Sequence, residues 1–91
     1  MYEEMMSMVM NENVTFDQWE KFRTYFEGLP TLDLEKLSEL TEKEKAEFKK
    51  KREDFAKAAR HVASKLPLKD ISKDLTLIMA YNEVNHPENF A

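Results

Sequence analysis

A single glycine, Gly28, serves the whole chain of 91 residues, and prolines occur only at Pro30, Pro67 and Pro87. Tight turns with positive φ admit glycine at no steric cost, and an all-β chain of this length would need many of them. Long helices with few joints fit such a scarcity of turn formers, and the expected fold class is all-α. Ninety-one residues fall in the range of one core, so residues 1–91 are read as a single helical domain. Apolar residues make up 42% of the chain and charged residues 35%, a mixture that can build a core and keep a solvated surface.

The sharpest local signal is Val14-Thr15-Phe16-Asp17-Gln18-Trp19. Thr15 can cap the first free N–H groups of a helix while Gln18 reaches back to it, and Val14 and Trp19 occupy the two positions of a hydrophobic staple. The helix is expected to run from Phe16 to Glu27, with Gly28 as a left-handed terminator and Pro30 beyond it. Phe16, Trp19, Phe22 and Phe26 fall within an arc of about 120°, with Tyr25 at its edge. Rings of this size supply most of what a small core buries, and the stripe is read as core rather than as a cage for a cationic ligand.

Leu34, Leu37 and Leu40 suggest a short amphipathic helix over 32–40. Thr41-Glu42-Lys43-Glu44 is a second capping-box pattern, which leaves open a new start at Glu42 or a bend in one continuous helix. From 42 to 66 the residues favour helix throughout, and Phe48, Phe55, Ala59, Val62 and Leu66 lie within about 60° of one another on the wheel. Pro67 ends this long central helix. In the segment around 70–84, Ile71, Leu75, Ile78 and Met79 form one apolar face and Leu77, Tyr81 and Val84 another. A helix apolar on most of its circumference is expected to be largely buried; a strand over 75–79 would be an orphan without partners. With a short methionine-rich helix from Tyr2 to about Met10, the expected architecture is a compact bundle of four to five helices.

Most chemistries are disfavoured by what the chain lacks. Without cysteine there is no disulfide, thiolate ligand or cysteine nucleophile. One glycine cannot build a phosphate-cradling loop, and Ser7, Ser38, Ser64 and Ser72 show no nucleophile-elbow pattern. Glu83-Val84-Asn85-His86 has the carboxylate-imidazole spacing of helical di-metal proteins, but such sites need two copies and two further carboxylates. His61 is read as solvated, and the Asn13-Val14-Thr15 sequon as formal only, since Thr15 serves as a cap. No catalysis, cofactor or metal is expected. The acidic start and the lack of an apolar run of ~20 residues point to a cytoplasmic chain without a membrane partner.

Two features point to binding. The net charge of −4 is unevenly distributed: residues 1–41 carry −6, 42–74 carry +4 and 75–91 carry −2. Within the basic stretch, Lys49, Lys50, Arg52, Lys57 and Arg60 could neutralise phosphates, although Glu47–Lys51, Lys49–Glu53, Lys50–Asp54 and Glu53–Lys57 have the spacing of ion pairs that would make the same face a salt-bridged surface. At the N-terminus, Met5, Met6, Met8 and Met10 are not expected to all face one core from one short helix, which leaves Met5 and Met8 as candidate docking residues. The reading is a small non-catalytic protein-binding module, an adaptor or inhibitor that occupies a macromolecular partner's surface through Met5, Met8, Lys49, Lys50, Arg52, Lys57 and Arg60. A nucleic-acid-binding protein using the basic face of the 42–66 helix, or a structural subunit of a homo-oligomer, are the alternatives.

Overall fold

A computed structural model describes residues 1–29 and 38–89, and it is all-α. Five α-helices occur among the described residues: α1 (Tyr2–Val9), α2 (Phe16–Glu27), α3 (Glu42–Lys65), α4 (Leu68–Ile71) and α5 (Leu75–Asn85), followed by a 3-10 turn, Pro87–Asn89. The leucine helix expected over 32–40 lies mostly outside the described residues. The principal extents are 43 × 33 × 19 Å, and a helix with side chains is ~10 Å across, so the molecule is about two helices thick.

Both capping boxes form. Thr15 Oγ1 accepts from Gln18 N at 3.2 Å while Thr15 N donates to Gln18 Oε1 at 3.0 Å. Thr41 Oγ1 accepts from Glu44 N at 3.1 Å, and Thr41 N donates to Glu44 Oε1 at 3.4 Å. Thr41 is extended (φ −74°, ψ 163°), so α3 begins afresh at Glu42. Its 24 residues at ~1.5 Å each span ~36 Å, most of the longest dimension, and every other layer is built against it.

Along α3 two kinds of packing succeed one another. Phe55 meets the rings of α2: centroid distances are 5.1 Å to Phe26, 5.6 Å to Trp19 and 5.9 Å to Phe22, the last nearly parallel at 14°. Further on, Ala58, Ala59, Val62 and Ala63 are buried, and their small side chains let α5 approach α3 closely, with Leu77 and Ala80 turned inward. Val14, Trp19, Phe22, Val9 and Ile71 complete the buried cluster. The Phe55-to-Leu66 ridge therefore packs as its spacing predicts, while Phe48 is half-buried and stands outside the cluster.

Three expectations are corrected. Gly28 is right-handed (φ −81°, ψ −8°). Its N–H donates to both Thr24 O at 3.2 Å and Tyr25 O at 3.1 Å, and Leu29 N continues to Phe26 O at 3.1 Å; this tightening of the last turn satisfies the free carbonyls without a left-handed residue. Met5, Met6, Met8 and Met10 all pack half-buried against the core. Because α1 touches both α2 and α3, two sides of one short helix are covered.

The C-terminal segment differs most. It is two helices, and α5 is not largely buried: Leu75 is 72% exposed and Met79 56%. The break at 72–74 resets the helical phase, so Ile71 points inward while Leu75, four residues on, points out.

That phase is set by Asp74, a buried carboxylate with 3% of its surface exposed. Its Oδ1 caps α5 by accepting from Thr76 N at 2.8 Å and Leu77 N at 3.3 Å. Its Oδ2 accepts from Trp19 Nε1 at 2.9 Å and from the Arg23 guanidinium. Arg23 Nε is buried with no hydrogen-bond acceptor; Glu27 Oε1 lies 3.8 Å away, an ion-pair distance only.

Two stability measurements follow by chemical denaturation. A Cβ at Gly28 would meet Tyr25 O at 3.5 Å and Thr24 O at 3.7 Å, ordinary contacts. Gly28→Ala is therefore expected to stabilise by about 0.4–1 kcal/mol through the unfolded state, whereas a left-handed residue would make it destabilising. Asp74→Ala is expected to cost about 3 kcal/mol, the lower end of the range for a broken buried pair, because Arg23 keeps 35% of its side-chain surface in water. Asp74→Asn, which retains a capping oxygen, should cost less.

Candidate functional site

Exposed apolar side chains concentrate at the corner where α4 meets α5. Pro67, extended at φ −71° and ψ 157°, separates α3 from α4 and leaves Leu68 in solvent at 61% exposure while Ile71 goes into the core. The chain then turns through Ser72 and Lys73, with Lys73 N donating to Asp70 O at 3.1 Å and Asp74 N to Ile71 O at 3.2 Å. Once Asp74 has capped α5, Leu75 and Met79 stand one turn apart on its outer face. Lys65, Lys69 and Lys73 are exposed along the same stretch of chain. Lys73 Nζ is 5.6 Å from the Phe16 ring centroid and 3.4 Å from Asp70 Oδ1. The corner thus offers leucine and methionine on a stretch of chain that carries three exposed lysines and one half-buried acid, Asp70, paired with Lys73.

These residues were not among the sequence candidates. The all-round apolarity of the segment predicts a largely buried helix, although it also fits a helix with an inner core face and an outer contact face. The Asp74 cap, immediately before an apolar run, was the available signal for the break.

The basic candidates do share the solvent side of α3: Lys49, Lys50, Arg52, Lys57 and Arg60 are all exposed. Of the four ion pairs expected within the helix, Lys50–Asp54 closes, at 3.0 Å. Arg60 reaches across to Glu83 of α5 at 3.7 Å. Among the described residues, Lys49, Arg52 and Lys57 have no carboxylate within the 4.0 Å of an ion pair. The cationic surface is therefore more open than the sequence spacing implies.

Lys50 belongs to a small polar latch. The Tyr2 hydroxyl donates to Asp54 Oδ2 at 2.6 Å, the same oxygen that Lys50 approaches, and Lys50 Nζ lies 6.0 Å from the Tyr2 ring centroid. Tyr2 also rests on Phe26, with centroids 5.8 Å apart. The hydrogen bond from Tyr2 lowers the Asp54 pKa against the opposing effect of burial, with Lys50 and then Lys57 adding to the lowering. Burial first, and the Asp54 hydrogen bond second, push the Tyr2 phenol well above its ordinary value.

A groove of about 570 Å³ runs between α1 and α2, lined by Met5, Asp17, Glu20, Lys21, Thr24 and Tyr25. Asp17, Glu20, Lys21 and Thr24 lie on the side of α2 opposite Trp19 and Phe22, so the groove faces away from the core. Both methionines named from sequence pack against the core, and Met5 also lines this groove.

His61 is tied down rather than merely solvated: its Nε2 lies 2.9 Å from Asn11 O, which also accepts Val14 N at 3.2 Å. A carbonyl oxygen only accepts, so Nε2 carries the proton. Glu83 and His86 diverge, Glu83 toward Arg60 and His86 Nδ1 toward Glu88 Oε1 at 3.6 Å. Among the described residues no three histidine, aspartate or glutamate side chains converge as a metal site, and no helix is long and apolar enough to cross a membrane.

The latch gives a pH prediction with two signs. Asp54 is depressed, so its contribution to stability is present above the unfolded carboxylate value, about 4, and is lost as pH falls through the lower folded value. Tyr2 is raised, so its contribution is full below about 10 and declines as pH rises beyond it. Tyr2→Phe is expected to cost about 1.5–3 kcal/mol at neutral pH, as for a hydrogen bond to a charged group. It should also flatten the fall in thermal stability above pH ~10, measured by circular dichroism; identical alkaline slopes would contradict the latch.

No family model matches this chain, and no curated protein or solved structure matches it either.

Proposed function

We propose that this chain is a small, cytoplasmic, non-catalytic protein-binding module, an adaptor or inhibitor that acts by covering part of a partner's surface, and that its contact face is the α4–α5 corner. The observation that carries this reading is the outward placement of Leu75 and Met79, 72% and 56% exposed, on a helix whose inner side already supplies the core. Exposed apolar groups gathered beside charged ones are a usual composition for a contact patch. A rigid helix face can bind without reactive groups, and α5 is held in one orientation by the Asp74 cap and its bonds to α2.

A photo-reactive residue in place of Met79, with Ala46 as an exposed control position on α3, tests the assignment in native lysate. One stoichiometric protein adduct at position 79, missing at 46 and abolished by Leu75→Glu, is the expected result. Equal labelling at both positions, or none, would remove the proposal.

Nucleic-acid binding is the second reading, favoured by the exposure of Lys49, Arg52 and Lys57 without carboxylate partners among the described residues. Phosphate binding must weaken steeply with salt. Anisotropy traces with duplex and single-stranded oligonucleotides that stay flat at low and moderate salt would dismiss it.

A further inference from the structure

The α4–α5 corner has a counterpart on the same molecule. The corner projects Leu75 and Met79, and Lys65, Lys69 and Lys73 are exposed along the same stretch of chain, Lys73 at ion-pair distance from Asp70. The α1–α2 groove has the opposite character: Met5 and Tyr25 provide apolar surface, Asp17 and Glu20 stand at it, and Lys21 is the one base lining it. Its surroundings are acidic too, with Glu3, Glu4, Glu12 and Glu27 exposed on and around the same two helices. Arg23, the other base of this layer, is held by Asp74 and lies at ion-pair distance from Glu27, so it offsets Glu27 and leaves Glu3, Glu4 and Glu12 without it. The groove, about 570 Å³, is largely open to solvent, a shallow depression that protruding side chains can enter from outside.

Within one molecule the two surfaces point outward on different helices, each opposite its own buried face: Leu77 and Ala80 behind the corner, Trp19 and Phe22 behind the groove. Among the described residues neither surface has an occupant, yet each matches the other in polarity and charge. We propose that the occupant of the α4–α5 corner is a second copy of this chain, docked head to tail, with Leu75 and Met79 of one copy in the Met5–Tyr25 groove of the next and lysines facing Asp17 and Glu20. This rests on the reading of the corner as a contact face and puts a second copy of this chain in the place of a separate partner there. Such an interface is heterologous: two different patches meet, so every added copy leaves one patch of each kind free, and assembly goes on until a ring closes. A helix corner seated in one groove belongs to the small interface class, below ~1,200 Å² in total, so association is weak and sensitive to both concentration and salt.

Sedimentation and light scattering of the full chain from about 10 µM to about 1 mM, at about 0.05 M and about 0.5 M salt, provide the test. The expected result is a mass that rises past the dimer with concentration and falls back with salt. Leu75→Glu spoils the corner and Glu20→Lys the groove; both positions are exposed, and circular dichroism checks that each variant keeps its fold. Alone, each variant should lose association. Mixed, they should recover a single 1:1 pair and nothing larger, because only one productive corner and one productive groove remain. A chain that is monomeric throughout the range overturns the proposal, and a Met79 adduct with a different protein would then leave the corner's role as a contact face standing. Association lost in Leu75→Glu but intact in Glu20→Lys would mean symmetric pairing of two corners, and it overturns the head-to-tail arrangement as well.

Discussion

One carboxylate decides how the two halves of this molecule meet. Asp74 uses Oδ1 to start α5 and Oδ2 to hold Trp19 and Arg23 of α2, so a local cap and a long-range tie share one side chain. A cap alone would fix where α5 begins; a tie alone would fix which helix lies near it. Joining them in one residue also fixes the rotation of α5 about its axis, because the first N–H groups must point at an oxygen that α2 holds in place. From that rotation follows the division of α5 into an inner side with Leu77 and Ala80 and an outer side with Leu75 and Met79. Burying an ionised group carries a desolvation cost that its partners must offset. Here the guanidinium, the indole N–H and two backbone N–H groups together satisfy both oxygens.

Much of what depends on near neighbours in sequence was legible, the hand of Gly28 excepted. The Thr15/Gln18 and Thr41/Glu44 boxes each close within four residues, and the ring stripe of α2 and the Phe55-to-Leu66 ridge follow from helical period alone. What was not legible depends on residues far apart. Trp19 and Arg23 lie 55 and 51 residues from Asp74, Tyr2 lies 52 from Asp54, and Asn11 lies 50 from His61. Periodicity carries no information on such pairs. The phase of α5 failed for a related reason: pooling Ile71 with Leu75 and Met79 assumed one unbroken helix, and three residues of turn are enough to rotate everything after them. Of the candidate binding residues, the lysines and arginines were exposed as charge dictates. Met8 was drawn into packing because α1 is covered on two sides, and Met5 lines a groove whose existence needed α2 in place.

The thickness of the molecule explains why an apolar helix ends up half in solvent. At 19 Å there are two layers, and a helix in a two-layer body has one side with nothing beyond it. A fully apolar circumference would suit a third layer on the far side of α5, and the described residues provide none. The long helix α3 reaches the same condition differently, by placing lysines and arginines on its outer side and keeping alanines and Val62 inside.

That contrast bears on function more than any single distance does. The fold asks nothing apolar of positions 75 and 79: Leu75 is the first residue of α5, where an acid would favour the helix dipole, and Met79 lies beyond the reach of the buried cluster. Removing their exposed apolar surface from water is favourable at roughly 25 cal/mol per Å², and folding leaves most of that gain unclaimed. The inner face of α5 contributes Leu77 and Ala80 to the core, and among the described residues nothing draws Leu75 and Met79 out of water.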